Sequence, residues 1–268
     1  MKSWLIVLSI QIFVKLLLMA LKFSTFNCRG LQDGFKRKSI FSYFHKKGDD
    51  IIFLQETHSL DSNEKFWSSQ WGGHSWFSSF TSSSKGVGIL IKSNHKISVN
   101  SIERDPEGRF LILDVIIDGF NMILVNLYGP NKDDPDFYFE VFSKLDNFDS
   151  SRLVIAGDLN VALGPLDYRG SCPTHSNKNA CKALISLMDE FNLIDVWRNE
   201  HPTLRGYTRH QKNPPVLSRL DYILVSSNLA DNVKQSEIIC GIKSDHSIVK
   251  CRISINVPPK GKSYWKLS

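Results

Sequence analysis

The stretch "FLILDVIIDGFNMILVNLYGP", Phe110 to Pro130, holds two apolar runs with Asp118-Gly119 between them. An Asp-Gly pair between two such runs is a strong signal for a two-residue β-hairpin, because both central residues of that turn take positive φ. Working outward, "LKFSTFNC" (21–28) and "DDIIFLQET" (49–57) read as strands, the second buried because its apolar run is continuous. Between them, Lys36–Lys47 carries a helical stripe of Ile40, Phe41 and Phe44. "GVGILI" (86–91) is a further strand, preceded by a serine-rich loop over Ser78–Gly86.

Downstream, Pro135–Phe148 reads as a helix and "SRLVIAG" (151–157) as a buried strand. Asn177–Phe191 is helical, with Ala180, Leu184, Leu187 and Met188 on one side. "RLDYILVS" (219–226) and "HSIVKCRISI" (246–255) close the set as strands, the latter alternating imperfectly through Ile248, Cys251, Ile253 and Ile255. There is no internal repeat. Strands dominate, several are hairpin-linked, and helices intervene. That pattern implies an α/β (α+β) chain with two β-sheets packed face to face and helices outside. The domain is expected over residues 21–255, and "NVPPKGKSYWKLS" (256–268) reads as a linker-like tail.

The chain has 268 residues, 42% hydrophobic and 22% charged, which is ordinary for a globular protein. Its net charge of +6 permits a polyanionic partner such as nucleic acid without demanding one. The five cysteines, Cys28, Cys172, Cys181, Cys240 and Cys251, are odd in number and scattered, with no CxxC pair. They read as reduced thiols rather than as a disulfide framework or a zinc site, which favours an intracellular setting.

Residues 1–20, "MKSWLIVLSIQIFVKLLLMA", form an apolar leader. It has features of a secretory signal, with a poor cleavage site at Leu18-Met19-Ala20. Lys15 in its middle counts against a membrane-spanning helix. Gln11, Lys15 and Lys22 fall on one polar stripe, as in an interfacial helix. An appended segment without a role in the fold is the remaining reading.

Polar residues gather at the ends of the apolar runs: Asn27, then Gln55, Glu56 and His58, then Asn126 and Tyr128. Asp158 and Asn160, Asp221, and finally Ser244, Asp245 and His246 follow the same rule. If these ends converge, one site holds Glu56, Asp158, Asp221 and Asp245 with one or two histidines. So many carboxylates need a cation or hydrogen-bond partners to stay charged together. Oxygen and amide donors without thiolates favour Mg²⁺ or Mn²⁺ over zinc. A hard dication, a carboxylate to orient water and neutral donors suit phosphoryl-ester hydrolysis. The adjacent Ser244-Asp245-His246 cannot form a hydrolase relay, since neighbouring side chains point opposite ways and the relay needs residues from separate segments.

The motifs "FNCRGL", "LQETH", "GVGILI", "NLYGPN", "GDLN", "RLDYIL" and "SDHS" occur in that order. Each is weak alone, but the ordered set resembles the endonuclease/exonuclease/phosphatase superfamily, over about Leu21 to Ile255. That superfamily includes deoxyribonuclease I and the exonuclease III-type abasic-site nucleases. The resemblance implies a deoxyribonuclease I-like four-layer sandwich, two facing mixed sheets flanked by helices. Within the superfamily, "TFNCRGL", "QETH" and "GDLNVALGPLDYRG" are most similar to the endonuclease domains of LINE-type retrotransposons, and "KSYWKLS" to the connector that precedes their reverse transcriptase. The expectation is therefore a detached or truncated retrotransposon endonuclease, its leader being upstream sequence read into the frame.

The resemblance carries roles onto matching positions. Glu56 would be the principal Mg²⁺ ligand, helped by Asn27, with Asp245 completing the metal or water shell. Asp158 would orient or deprotonate the attacking water. Asn160, two residues on along an extended stretch, would point the same way and hold the phosphate or the nucleophile. Tyr128 would donate to a phosphate oxygen or the leaving group. His246 would contact the scissile phosphate, with Asp221 accepting its other ring N–H. Ser244 would supply a supporting hydrogen bond or be a plain turn residue, and Gln55 and His58 would support the site from behind.

"LRGYTRHQKNPPVLSRLDY" carries Arg205, Arg209, Lys212 and Arg219 with no acid before Asp221. By resemblance this hairpin enters the DNA groove, Thr208 matches a phosphate-contacting threonine, and Arg169 matches a position near the DNA backbone. A solvated basic loop is the alternative. Such cations would give salt-dependent binding, while hairpin shape and DNA deformability would set site preference.

The function implied is a Mg²⁺-dependent DNA endonuclease, with Mn²⁺ as a substitute, that nicks double-stranded DNA and leaves a 3′-hydroxyl. The chain would act as a monomer without a small-molecule cofactor, in the nucleus, touching membrane only through its leader; secretion or anchoring by that leader stays open. The alternatives are an abasic-site repair nuclease, a superfamily phosphatase, and a silent DNA-binding remnant. Intact Asn27, Glu56, Asp158, Asp221 and His246 argue against the last.

Overall fold

The computed structural model describes residues 17–170, 177–211 and 215–257. Strand β1 (Leu17–Asn27) is followed by helix α1 (Gly34–Lys47) and a parallel partner, β2 (Ile51–Gln55). Helix α2 (Asp61–Trp71) leads into the antiparallel pair β3 (His74–Ser78) and β4 (Val87–Ile91). A meander of β5 (Ile97–Arg104), β6 (Phe110–Ile117) and β7 (Phe120–Tyr128) comes next. Helix α3 (Pro135–Leu145) then crosses to β8 (Leu153–Asp158), parallel to β7. The remaining elements are β9 (Tyr168–Arg169), α4 (Lys178–Glu190), β10 (Leu193–Asp195), α5 (Val196–Glu200), β11 (Arg209–Gln211), β12 (Val216–Ser218), β13 (Asp221–Ser226), β14 (Val233–Ile239) and β15 (Ile248–Val257).

Local chemistry explains the element ends. Asp118 and Gly119 both take positive φ, 50° and 90°, as the expected two-residue hairpin demands. Helix α1 starts where Asp33 Oδ1 accepts the Lys36 N–H at 2.6 Å, and it stops at Gly48 with φ 75°. Helix α3 begins at Pro135 behind the capping Asp134, whose carboxylate accepts the Phe137 N–H. It ends at Leu145, short of the Phe148 read from the sequence.

The strands form two six-stranded sheets, β14-β15-β1-β2-β4-β3 and β10-β13-β8-β7-β6-β5. Each is mixed, parallel at β1–β2 or β7–β8 and antiparallel elsewhere. Their facing sides share one buried cluster that includes Phe23, Phe53, Ile89, Leu113, Leu124, Val154, Ile223 and Val249. On one outer face α1 and α2 pack Phe41, Phe44, Trp67 and Trp71 over Ile52, Leu54 and Leu90. On the other, α3 and α4 pack Phe142, Leu184 and Leu187 over Ile155 and Leu224. This is the expected four-layer sandwich. Burial on both faces is also why β15 alternates imperfectly: Val249, Cys251 and Ile253 face the centre, whereas Ile248 packs under α1.

Several elements left no readable pattern. Strand β5 lies on a sheet edge with its side chains mostly in solvent, so it lacks an apolar stripe. Strand β1 starts at Leu17, so Leu17–Ala20, read from the sequence as the end of the leader, pair with Val257–Ser254 of β15. The rest of the leader and most of the 256–268 tail lie outside the described residues. No helix among the described residues is long and apolar enough to cross a membrane.

The topology sets up the site. The parallel strands β1, β2, β7 and β8 end on the same rim, and the antiparallel β13 and β15 begin there. Register brings Asp221 opposite Asp158, Tyr128 beside Asp158, and Asn27 beside Gln55.

Candidate active site

Asn27, the last residue of β1, is a hub between the sheets. Its Nδ2 donates to Glu56 Oε1 at 3.0 Å and to Asp158 Oδ2 at 2.9 Å. Glu56 follows β2 in a left-handed conformation, φ 49°, which turns its carboxylate toward the facing sheet. There the Tyr128 hydroxyl donates to the same Oε1 at 2.8 Å. Burial, reinforced by the Glu56 charge, raises the Tyr128 pKa far above its ordinary value, so the phenol stays a donor.

Asp158 ends β8 fully enclosed. Its Oδ1 accepts the Asn160 N–H at 3.0 Å, and its Oδ2 lies 3.8 Å from His246 Nε2. Burial and the nearby Asp221 charge push its pKa up to about 7, against the opposing pull of His246 and Asn27. Burial disfavours the His246 imidazolium, but Asp221 and Asp158 outweigh that and hold its pKa at about 9. Asp221 Oδ2 meets His246 Nδ1 at 2.8 Å, which fixes the ring and leaves Nε2 to face the cleft. The relation expected between His246 and Asp221 is thus present.

Close packing explains two glycines, Gly157 and Gly241. A Cβ on Gly157 of "GDLN" would lie 1.9 Å from the Leu127 carbonyl oxygen, and one on Gly241 would lie 1.9 Å from the His246 carbonyl oxygen. Non-glycine residues with positive φ also gather at this rim: Arg29, Glu56, His58, Asn160 and Lys243. Such conformations cost energy and persist where the surroundings over-determine them, often at functional sites.

The cleft between these groups has a volume of about 440 Å³, with Arg29, Asn131, Asn177 and Arg209 also on its walls. Asp245 lines it too, with its Oδ1 3.1 Å from Arg29 Nη1. Ser244 is a supporting residue: its hydroxyl donates to the Asn27 carbonyl at 2.8 Å and accepts the His246 N–H at 3.2 Å. His58 Nε2 stands 3.8 Å from Glu56, and burial lowers its pKa. Gln55 faces inward instead, tying Thr25 to Asn126 between the sheets at 3.0 and 2.7 Å.

Some expectations need correction. Asn160 is not on an extended stretch, since its φ is 49°; it reaches the cleft because the chain turns, with Nδ2 donating to the Gly129 carbonyl at 2.8 Å. Thr208 is buried, and its Oγ1 accepts the N–H groups of Leu220 and Asp221 at 2.9 and 3.1 Å. It positions the start of β13 and cannot touch a phosphate. Arg219 is 1% exposed, ion-paired with Asp167 at 2.8 Å and Asp195 at 2.7 Å, and stacked over Tyr222. It is an internal tie, not a DNA contact. Arg169 is exposed on β9, and Arg209 stands on β11 at the cleft, in the small sheet β11-β12-β9. Lys212 lies outside the described residues.

Sequence reasoning missed Arg29, Asn131 and Asn177. Arg29 and Asn131 sit inside quoted motifs, "FNCRGL" and "NLYGPN", so a cation two residues from Asn27 was the available signal. Asn177 Nδ2 donates to the Asn160 carbonyl at 2.9 Å, while its buried Oδ1 has no hydrogen-bond partner among the described residues.

The donor set fits a hard divalent cation. Its oxygens come from the Glu56 and Asp158 carboxylates, with the Asn27 amide turned so that Nδ2 meets both acids and Oδ1 the Arg29 N–H. Among the described residues, Asp221 Oδ1 is buried without a hydrogen-bond partner. Ligand atoms of Asp158, Asp221 and His246 all lie within 4.8 Å of one another. Glu56 suits the cation better, because Asp221 is already committed to His246. The thiol of Cys28, pushed up to about 12 by burial, is not a thiolate ligand.

A family model described as the Endonuclease/Exonuclease/phosphatase family matches residues 24–246. The "Transposon TX1 uncharacterized 149 kDa protein" of Xenopus laevis is 31% identical over 252 residues, 92% of this chain. The chain spans 19% of that protein's length. An "Exodeoxyribonuclease" of Bacillus subtilis (strain 168) is 23% identical over 257 residues, covering 88% of this chain and all of that enzyme. Among solved structures, an AP endonuclease from Archaeoglobus fulgidus superposes with a TM-score of 0.72 at 21% identity, over 88% of this chain and 99% of its own.

Proposed function

Since the chain belongs to the endonuclease/exonuclease/phosphatase family and is a phosphodiesterase of it, we propose that it is a Mg²⁺-dependent endonuclease that nicks double-stranded DNA, of the kind that retrotransposons use on their targets. The observation that carries this is the gap of 3.8 Å between Asp158 Oδ2 and His246 Nε2, opening on the cleft. The carboxylate and the imidazole stand side by side there, so a water and a phosphate oxygen seated above them in the cleft would each meet one of the two.

Glu56, with Asn27 beside it, would hold the divalent cation, which supplies neutralisation of phosphate charge. Asp158, fixed through Oδ1 by the Asn160 N–H, accepts a proton from the attacking water. The water oxygen attacks phosphorus, the bond to the 3′-oxygen breaks, and that oxygen leaves as a hydroxyl after taking a proton from solvent. His246, held by Asp221, donates through Nε2–H to the oxygen on which charge develops. The Tyr128 hydroxyl and the Asn160 amide are further neutral donors. Arg209 and Arg169, on one small sheet beside the cleft, would meet the flanking phosphates and position the duplex.

The retrotransposon assignment draws its support from the transposon protein, similar over 92% of this chain. An abasic-site nuclease is the second reading, favoured by the shared fold of the AP endonuclease. Comparing nicking of an intact AT-rich duplex with one holding a single abasic site separates them. Our reading expects the intact duplex to be nicked at a comparable rate; cleavage confined to the abasic site would overturn it in favour of repair.

A further inference from the structure

The acids of the cleft do not share its positive charge evenly. Asp221 is hydrogen-bonded to His246 at 2.8 Å, and Asp245 stands 3.1 Å from the Arg29 guanidinium. Among the described residues, Glu56 has only neutral donors in hydrogen-bond reach, the Asn27 amide and the Tyr128 hydroxyl. Asp158 likewise has the Asn27 amide and the Asn160 N–H, with His246 beyond at 3.8 Å. Glu56 is therefore the acid left for a divalent ion, since Asp221 and Asp245 are paired with cationic side chains and Asp158 faces His246.

Arg29 is fixed where it is. Its backbone takes φ 48°, its N–H donates to Asn27 Oδ1 at 3.1 Å, and its carbonyl accepts from Lys36 Nζ at 2.8 Å. This holds the residue at the mouth of the cleft, with its side chain still 57% exposed and Asp245 only 31% exposed. A guanidinium does not lose its proton, and one held at a single point keeps other N–H groups free for a phosphate.

We propose that Arg29 is the built-in second cation of this cleft: ion-paired with Asp245, it donates to a non-bridging oxygen of the substrate phosphodiester, and the cleft accepts one divalent ion, at Glu56. Asp245, expected from the sequence to serve the metal, is on this account the anchor of an arginine. The proposal rests on the nuclease reading above for its substrate but not for its ion count.

The test is a titration of the full chain with Mn²⁺ alone, without DNA, following free ion by electron paramagnetic resonance. The wild-type chain and Arg29→Lys should each bind one ion, and Arg29→Asp should bind two. Any wild-type count other than one, or a count that stays at one in Arg29→Asp, overturns the proposal. Thermal unfolding of each variant shows that the fold is intact. For the phosphate contact, duplex binding is measured in Ca²⁺ over a range of salt. Arg29→Ala should lower the salt slope by about 1; an unchanged slope overturns the contact. A wild-type chain that binds one Mn²⁺ yet nicks no DNA would remove the nuclease reading while leaving the count standing.

Discussion

Asp158, at the end of β8, and His246, in the loop that leads into β15, face each other at 3.8 Å, each tuned by the other and by Asp221. Burial and Asp221 raise the carboxyl to about 7, and the two carboxylates hold the imidazole at about 9. The proposed nicking needs Asp158 ionised and His246 protonated. The rate should therefore rise with pH on an acid limb no higher than about 7 and fall through about 9, the values belonging to the pair. A cation at Glu56 favours ionised Asp158 and shifts the acid limb down. Asp221→Asn removes the carboxylate that holds the proton on His246, so the alkaline limb should move to lower pH. An alkaline limb that stays in place would contradict the pairing.

Arg219 is a stability residue. Arg219→Ala leaves Asp167 and Asp195 buried with less of their charge met, although Arg198 still reaches Asp167 at 2.6 Å. Loss of about 3 kcal/mol is expected on breaking such a buried pair, read by denaturant unfolding. A milder Arg219→Lys that still folds should bind DNA with the wild-type salt dependence. A lowered slope would return Arg219 to the DNA surface.

Arg169 and Arg209 should behave in the opposite way. Replacing either by alanine should leave unfolding almost unchanged and reduce the salt slope of duplex binding by about 1. Equal slopes for wild type and both variants would place the DNA elsewhere.

At the other end of the sandwich, His95 is buried between Asp118 at 2.7 Å and Asp50 at 3.2 Å. The Asp50 carboxylate beside Nε2 is the main cause that raises its pKa above 6.5, burial opposing and Asp118 assisting. A folded pKa above the unfolded one adds stability that is complete below about 6.5 and fades as pH rises through the folded value. Denaturant midpoints should thus fall over that window in the wild type, and less so in His95→Gln. Parallel pH profiles would show that the charged bridge adds nothing.

The two-sheet fold was legible because its central strands are continuous apolar runs and because Asp118-Gly119 dictates a hairpin. The site was legible because strand ends at Asn27, Glu56, Tyr128, Asp158, Asp221 and His246 carry polar groups where a buried strand would otherwise simply stop. Long basic side chains were not. Arg219 and Arg209 look alike in "RHQKNPPVLSRLDY", yet one is buried because Asp167 and Asp195, distant in sequence, wait behind it. Thr208 likewise turned inward because the first N–H groups of β13 need an acceptor. The left-handed turn at Asn160 has no periodic signature, so an extended reading put the right residue in the cleft for the wrong reason.

The central claim is that Asp158 activates water for cation-dependent cleavage of DNA. Its most direct test is the nicking rate of supercoiled plasmid by wild type and Asp158→Asn, in Mg²⁺ and in EDTA. The wild-type chain should form open circles only with Mg²⁺, and Asp158→Asn should be slower by about 10² to 10⁴ while unfolding normally. Equal rates for the two proteins, or nicking that persists in EDTA, would contradict the account.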